Sequence, residues 1–295
     1  MTTETDATAE FLALTDDPRR RREESTTMVE QYYTLAGDLY REGWGSPHQH
    51  FPCYSPGQSH EEAAEAQMKD LADRAGLTAD SYVLDVCSGV GGPACTVAAH
   101  TGARLVGAEL VADRVREARD NARARGLDDR VSFRVADAAA LPFDDAAFTA
   151  AYSIQALCHL ADKPRAHREA ARVLQPGAVW TGYDWMRAAA AGADGIAEDI
   201  CRAHALPALA TLDELRQHLT AAGFTDVHVS DGRDIGDWAP NWDRLEQLVA
   251  LLPSREELPP LLRLMTDGAR ALCAGARSGD FFIGYWHARR AEEHS

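Results

Sequence analysis

No Cys-x-x-Cys pair occurs anywhere in this 295-residue chain. Its six cysteines, Cys53, Cys87, Cys95, Cys158, Cys201 and Cys273, are scattered, so neither a thiolate metal site nor a disulfide framework is expected. Excess positive charge is also missing. The net charge is −16, which excludes nucleic-acid binding through a basic surface. No apolar run approaches the ~20 residues needed to span a membrane. Residues 1–10 are acidic and polar, without the apolar stretch of a signal peptide. The expectation is a soluble, cytoplasmic protein that holds no metal. Internal repeats are absent, and no tract is of low complexity beyond a bias to alanine. What is present is an ordinary hydrophobic content of 45%, in a chain long enough for one large α/β domain with insertions or two small domains.

The most informative stretch is residues 83–94, Val-Leu-Asp-Val-Cys-Ser-Gly-Val-Gly-Gly-Pro-Ala. It reads as a strand, a tight loop and a helix start. Gly89, Gly91 and Gly92 let backbone approach a ligand where a Cβ would clash. The free amides of the helix start favour an anionic or carboxylate-bearing group. Two nucleotide cofactors satisfy this loop. Gly89-x-Gly91-x-x-Ala94 meets the dinucleotide fingerprint, and Glu109 stands where a ribose-binding acid belongs for either cofactor. Asp85 and Asp137 tilt the choice. With Glu109 they put three acids at three successive strand ends. Such a set suits an ammonium, a ribose diol and an adenine amino group, whereas Asp85 would repel a pyrophosphate.

The pattern along the chain predicts a frayed, charged leader over residues 1–24, an aromatic-rich helix over 25–45, an irregular Pro/Gly segment over 46–60 and a helix over 61–75. Residues 25–76 would form a lid. Strands are expected at 82–86, 104–109, 131–135, 148–152 and 178–184, with helices at 92–101, 111–125 and 163–173. This alternation implies a parallel sheet covered on both faces, with a cofactor-binding core over 77–185. Beyond it, 186–206 reads as a helical insertion, 211–222 as a helix, 225–230 as a strand, 241–275 as helix broken by prolines, and 281–288 as a closing strand. Residues 186–295 would thus complete the same domain.

Asp85-x-Cys87-x-Gly89-x-Gly91, Glu109 and Asp137 resemble the class I S-adenosylmethionine-dependent methyltransferases. Cys87 replaces the first glycine of their usual loop. Three further segments, Leu39-Tyr-Arg-Glu-Gly-Trp-Gly-Ser-Pro-His-Gln-His-Phe, Tyr152-Ser-Ile-Gln-Ala-Leu-Cys-His-Leu and Arg172-Val-Leu-Gln-Pro-Gly-Ala-Val-Trp-Thr-Gly-Tyr-Asp-Trp, are similar to the sterol C-methyltransferases and the related tocopherol and sarcosine/dimethylglycine methyltransferases. The resemblance implies a Rossmann-like, seven-stranded, mostly parallel α/β sheet with helices on both faces and the last strand antiparallel. An N-terminal helical lid and helical insertions would be added. It implies S-adenosyl-L-methionine held by Asp85, Cys87, Gly89, Gly91, Glu109, Leu110, Asp137, Ala138 and Ser153. The acceptor is expected to be a small apolar or aromatic secondary metabolite, with carbon methylation favoured and nitrogen or oxygen methylation open.

The chemistry would be in-line displacement at a sulfonium methyl, so alignment and exclusion of water matter most. His159 is the candidate base, with Gln155 and Tyr33 as further catalytic candidates; Gln155 stands where sterol methyltransferases carry an acid. Tyr32, Tyr40, Trp44, His48, His50, Asp184 and Trp185 are candidates for the acceptor wall and lid. Plain structural roles compete with each. His159 could bond backbone at a helix start, Tyr32 and Tyr33 have core spacing, His48 and His50 could cap a loop, Trp185 could only pack, and Asp137 could cap the next turn. Cys87 and Cys158 read as small buried apolar residues. A nicotinamide-dependent oxidoreductase and a non-catalytic cofactor-binding module stay open as alternatives. Oligomeric state is open too, because the lid could cover its own site or a neighbour's.

Overall fold

The computed structural model describes residues 4–190 and 195–292. Four helices come first: α1 (Glu4–Thr15), α2 (Pro18–Glu23), α3 (Ser25–Trp44) and α4 (His60–Arg74). The sheet then begins with β1 (Tyr82–Val86), followed by α5 (Gly92–Thr101), β2 (Arg104–Glu109), α6 (Ala112–Ala124), β3 (Val131–Val135), β4 (Phe148–Ile154), α7 (Lys163–Val173) and β5 (Leu174–Arg187). The rest runs α8 (Ile196–Ala203), α9 (Leu212–Ala221), β6 (Phe224–Asp231), α10 (Ala239–Ala250), α11 (Pro260–Ser278) and β7 (Phe281–Arg290).

The strands form one seven-stranded sheet in the order β3-β2-β1-β4-β5-β7-β6. The first five pair in parallel, and β7 lies antiparallel between β5 and β6. Four of the five residues of β1 are buried, as a parallel strand covered on both faces requires. Strand order reverses between β1 and β4, so a crevice opens at their C-terminal ends. The expected fold class is therefore observed. Local signals fix the helix starts. Ser59 with Glu62 caps α4, and Thr211 with Glu214 caps α9, each as a reciprocal capping box.

Three expectations need correction. Residues 4–24 are not a frayed leader. Phe11 and Leu14 of α1 pack with Met28, Tyr32 and Ala36 of α3 and with Ala203, Ala205 and Leu264. Arg21, within that expected leader, is completely buried; it donates to the Thr15 and Leu206 carbonyls and to the Glu198 carboxylate. The run Arg19 to Arg22 hid this because only one of its four cations turns inward. Secondly, β5 is longer than expected, because it continues to Arg187 in register with β7. Thirdly, the helical insertion is correspondingly shorter and amounts to α8; residues 191–194 lie outside the described residues.

Candidate active site

Two cavities meet above the C-terminal ends of β1, β2 and β4. The larger, about 270 Å³, is lined by Asp85, Cys87, Gly89, Glu109, Leu110, Asp137 and Ala138 among others. Gly89 and Gly91 sit at φ +56° and +81°, a region that glycine enters without strain. Glu109 organises the turn: its carboxylate accepts the backbone N–H groups of Gly89 at 2.9 Å and Val111 at 3.0 Å. Asp137 accepts from the Ala139 N–H at 2.8 Å, so it does cap the next turn, and it also borders the cavity. Cys87 takes φ +63°, in the left-handed region that glycine favours. Burial, with Glu109 and Asp85 nearby, pushes its thiol far above the ordinary range and keeps it protonated.

Asp85 is 1% exposed, and its Oδ2 has no hydrogen-bond partner in the protein. Burial raises its pKa to about 8; the adjacent Tyr152 hydroxyl opposes the rise and Glu109 adds to it. A buried acid with an unused oxygen, next to a glycine cradle, fits a cofactor that brings a positive charge and hydroxyls. The residues present therefore fit S-adenosylmethionine. They do not fit a pyrophosphate, which would meet Asp85. Ser153 is fully buried on β4 and lines neither cavity.

The smaller cavity, about 170 Å³, is walled by Tyr32, Tyr33, Tyr40, His50, Phe51, Trp185 and His204, with Leu245, Leu248, Met265 and Leu272 closing it from α10 and α11. Its base is held by Gln155, which occupies φ +50°. The Gln155 side-chain amide is spanned by Phe51: Oε1 accepts the Phe51 N–H at 3.0 Å, and Nε2 donates to the Phe51 carbonyl at 2.6 Å. Oε1 also accepts from the Trp185 indole at 3.0 Å. Gln155 thus fastens the 46–54 segment over the site. An ionised acid at this position could not donate to Phe51. Trp185 does more than fill space, since it also lies face to face with Phe51.

Tyr33 and His159 form a pair. The Tyr33 hydroxyl lies 3.1 Å from His159 Nε2, and His159 Nδ1 lies 3.2 Å from the Ala205 carbonyl. The carbonyl can only accept, so Nδ1 carries the proton and Nε2 accepts from the tyrosine. Burial pushes the His159 pKa down to about 4. A second chain runs from Tyr40 to Tyr32 to His204 Nδ1, at 2.8 and 3.3 Å. Arg114, five residues beyond Glu109, stacks 4.2 Å over the Tyr33 ring and donates to Gln49.

Two lid candidates lie outside the cavities. His48 is buried against Thr96, 3.0 Å from its hydroxyl, and pins the segment to α5. Asp184 lines neither cavity because side chains alternate along β5, and Trp185 takes the inward face. The Asp184 carboxyl instead accepts from the Trp185 N–H, and burial raises its pKa to about 6. The side chain of Trp44 lies outside the described residues. Sequence reasoning missed Arg114, Gln49, Phe51 and His204, and the whole contribution of α10 and α11. The position of Arg114, in the first turn after Glu109, was the one available signal. Among the described residues no cluster could hold a metal ion, and no helix is long and apolar enough to cross a membrane.

Residues 84–180 match the family described as a methyltransferase domain. A 24-methylenesterol C-methyltransferase 2 of Oryza sativa subsp. japonica is 35% identical over 74% of this chain and 61% of its own length. A sterol 24-C-methyltransferase of Eremothecium gossypii is 32% identical over 92% of this chain and 71% of its own length. The chain thus spans about six tenths of the rice protein. Among solved structures, the 4+2 cyclase SpnF superposes with TM-score 0.74 at 27% identity, covering 90% of this chain and 97% of that one. A geranyl diphosphate C-methyltransferase from Streptomyces coelicolor A3(2), in complex with Mg2+, geranyl diphosphate and S-adenosyl-L-homocysteine, superposes with TM-score 0.69 at 19% identity, covering 87% and 98%.

Proposed function

The chain belongs to the S-adenosylmethionine-dependent methyltransferases, on the branch of the sterol C-methyltransferases, and from that premise we propose that it methylates a carbon of an uncharged, isoprenoid-like acceptor. The observation that carries this reading is a pair of cavities, one bordered by strand-end acids and the other by aromatic and aliphatic side chains, that share one wall of Tyr33, Gln49, His50, Gln155 and His159. In the larger cavity, Asp85 and Glu109 would hold the cofactor's cationic tail and ribose, with Asp137 at the adenine end. The cofactor, when bound, supplies a methyl group activated on a sulfonium.

The chain's own work is alignment and exclusion of water. The Gln155 latch on Phe51 and the His48 contact with Thr96 hold the 46–54 segment closed over the junction. Tyr33, fixed by His159 and Arg114, would present its ring and hydroxyl to the reacting centre. The aromatic wall of Tyr33, Tyr40, Phe51 and Trp185 suits positive charge developing on an alkene carbon. Arg244 is the only Lys or Arg in the smaller cavity's lining among the described residues, and it donates to the Gly43 carbonyl. That lining favours a neutral acceptor over a diphosphate. At 170 Å³ the cavity is smaller than pockets that enclose whole ligands, so the acceptor would enter by its reacting end past Leu248.

The test is incubation with methyl-labelled S-adenosylmethionine and four acceptors: farnesol, squalene, a sterol with a side-chain alkene, and farnesyl diphosphate with Mg2+. Label on a carbon of one of the neutral acceptors is expected. Label on the diphosphate alone, or on oxygen, contradicts the reading. A second reading draws on the likeness to the cyclase: the cavity would fold an acceptor without transferring a methyl. Conversion of an acceptor without label supports it.

A further inference from the structure

Five side chains line both cavities, and four of them are already committed within the protein. Gln155 spans the Phe51 peptide, Gln49 accepts from Arg114, and Tyr33 and His159 bond each other. His50 is the exception. It is 4% exposed, and its Nε2 has no hydrogen-bond partner. A buried ring nitrogen left unmatched at a junction of two ligand cavities needs a reason, because such an atom costs stability unless something occupies it.

Carbon methylation supplies that reason. When an alkene carbon of the acceptor takes the methyl, the neighbouring carbon becomes cationic. The product forms only when a C–H bond beside that cation breaks, its electron pair closing a new double bond and its proton leaving. The other groups at the junction are poorly suited to receive it. The His159 Nε2 lone pair is filled by the Tyr33 hydroxyl, and Gln155 is an amide. We propose that His50 Nε2 is the base that takes this proton. This rests on the carbon-methylation reading above. In the Nδ1–H tautomer, Nε2 would keep a free lone pair, on a ring that lines both cavities. Burial beside His48 and His60 keeps the ring neutral at physiological pH and ready to accept. The balance is complete: the methyl's bond to sulfur breaks as the new carbon–carbon bond forms, the acceptor loses one proton, and the imidazole becomes imidazolium until solvent relieves it on product release.

The first test needs no cofactor and no turnover. N,N-dimethylfarnesylamine, protonated in neutral water, mimics the cation and donates one N–H. Its binding to the 295-residue, cofactor-free chain is compared by calorimetry with that of farnesol. Wild type should favour the amine, and His50→Leu should bind it about tenfold more weakly while farnesol changes less than twofold. An amine that binds wild type no better than the alcohol, or equally well in both proteins, overturns the assignment. His50→Gln, which cannot take up a proton, is the second variant. Its S-adenosylmethionine affinity should stay within threefold of wild type, which reports folding, while methyl transfer falls by about 100-fold. Wild-type transfer with the same alkene product overturns the base alone. A wild-type product methylated on oxygen overturns the parent reading instead.

Discussion

The larger cavity is walled mainly by backbone and strand ends, the smaller by side chains gathered from across the chain. Asp85, Gly89, Glu109 and Asp137 come from three consecutive strand–turn units, and Glu109 holds the glycine turn through two main-chain N–H groups. The acceptor wall comes from α3, the 46–54 segment, the end of α8, α10 and α11, with Gln155 and His159 after β4 and Trp185 of β5. One cavity is set by the sheet, and nearly any sequence that makes the sheet must make it the same way. The other is walled largely by helices and the 46–54 segment, which can change with less cost to the sheet, and acceptor choice belongs there.

The largest expected effect falls on the backbone-built side. Glu109→Ala removes the acceptor of two main-chain N–H groups, and S-adenosylmethionine affinity should fall about 100-fold or more by calorimetry, at roughly 1.5–3 kcal/mol for each hydrogen bond to a charged group. Acceptor binding should hardly change. An equal loss in both would erase the distinction between the cavities. On the other side, Tyr33→Phe should reduce turnover about tenfold while cofactor affinity stays within twofold.

The same contrast explains what the sequence revealed. Asp85, the three glycines and Glu109 were legible because strand ends and positive-φ turns write themselves into a local motif. Tyr33 and His159 were found separately, but their partnership was not, since 126 positions part them. The bond between Gln155 and the Phe51 peptide was hidden because 104 positions part them and no local pattern announces it. Arg21 and α1 were missed for the same reason: the partners that bury them, Glu198, Leu206 and Leu264, lie far along the chain. His204 and the leucines of α10 and α11 carried no signal, because apolar helix faces look alike whether they line a core or a cavity.

A smaller effect sharpens the boundary between the two regions. A Cβ at Gly92 would run into the Pro47 carbonyl, so Gly92→Ala should displace the 46–54 segment and cost about 1–3 kcal/mol in thermal or denaturant unfolding. It should loosen both cavities at once. The titration of Asp85 gives a subtler check. The folded protein holds its proton up to pH about 8, whereas the unfolded chain loses it near 3.9. The group's stability contribution is therefore full below pH ~4 and is lost as pH rises towards 8. Asp85→Asn removes that loss, so the wild-type melting temperature should decline relative to the variant across this window. A cationic ligand beside Asp85 would expel the proton, and S-adenosylmethionine affinity should rise with pH up to about 8 in wild type only.

The account rests most heavily on a methyl group leaving the larger cavity for the smaller. The direct measurement is a stoichiometric one: S-adenosylmethionine and a neutral terpenoid alkene are mixed with the protein, and S-adenosylhomocysteine and converted acceptor are quantified together. Equal amounts of the two, rising in step, are predicted. Converted acceptor with the cofactor left intact would contradict methyl transfer and give the fold to cyclisation instead.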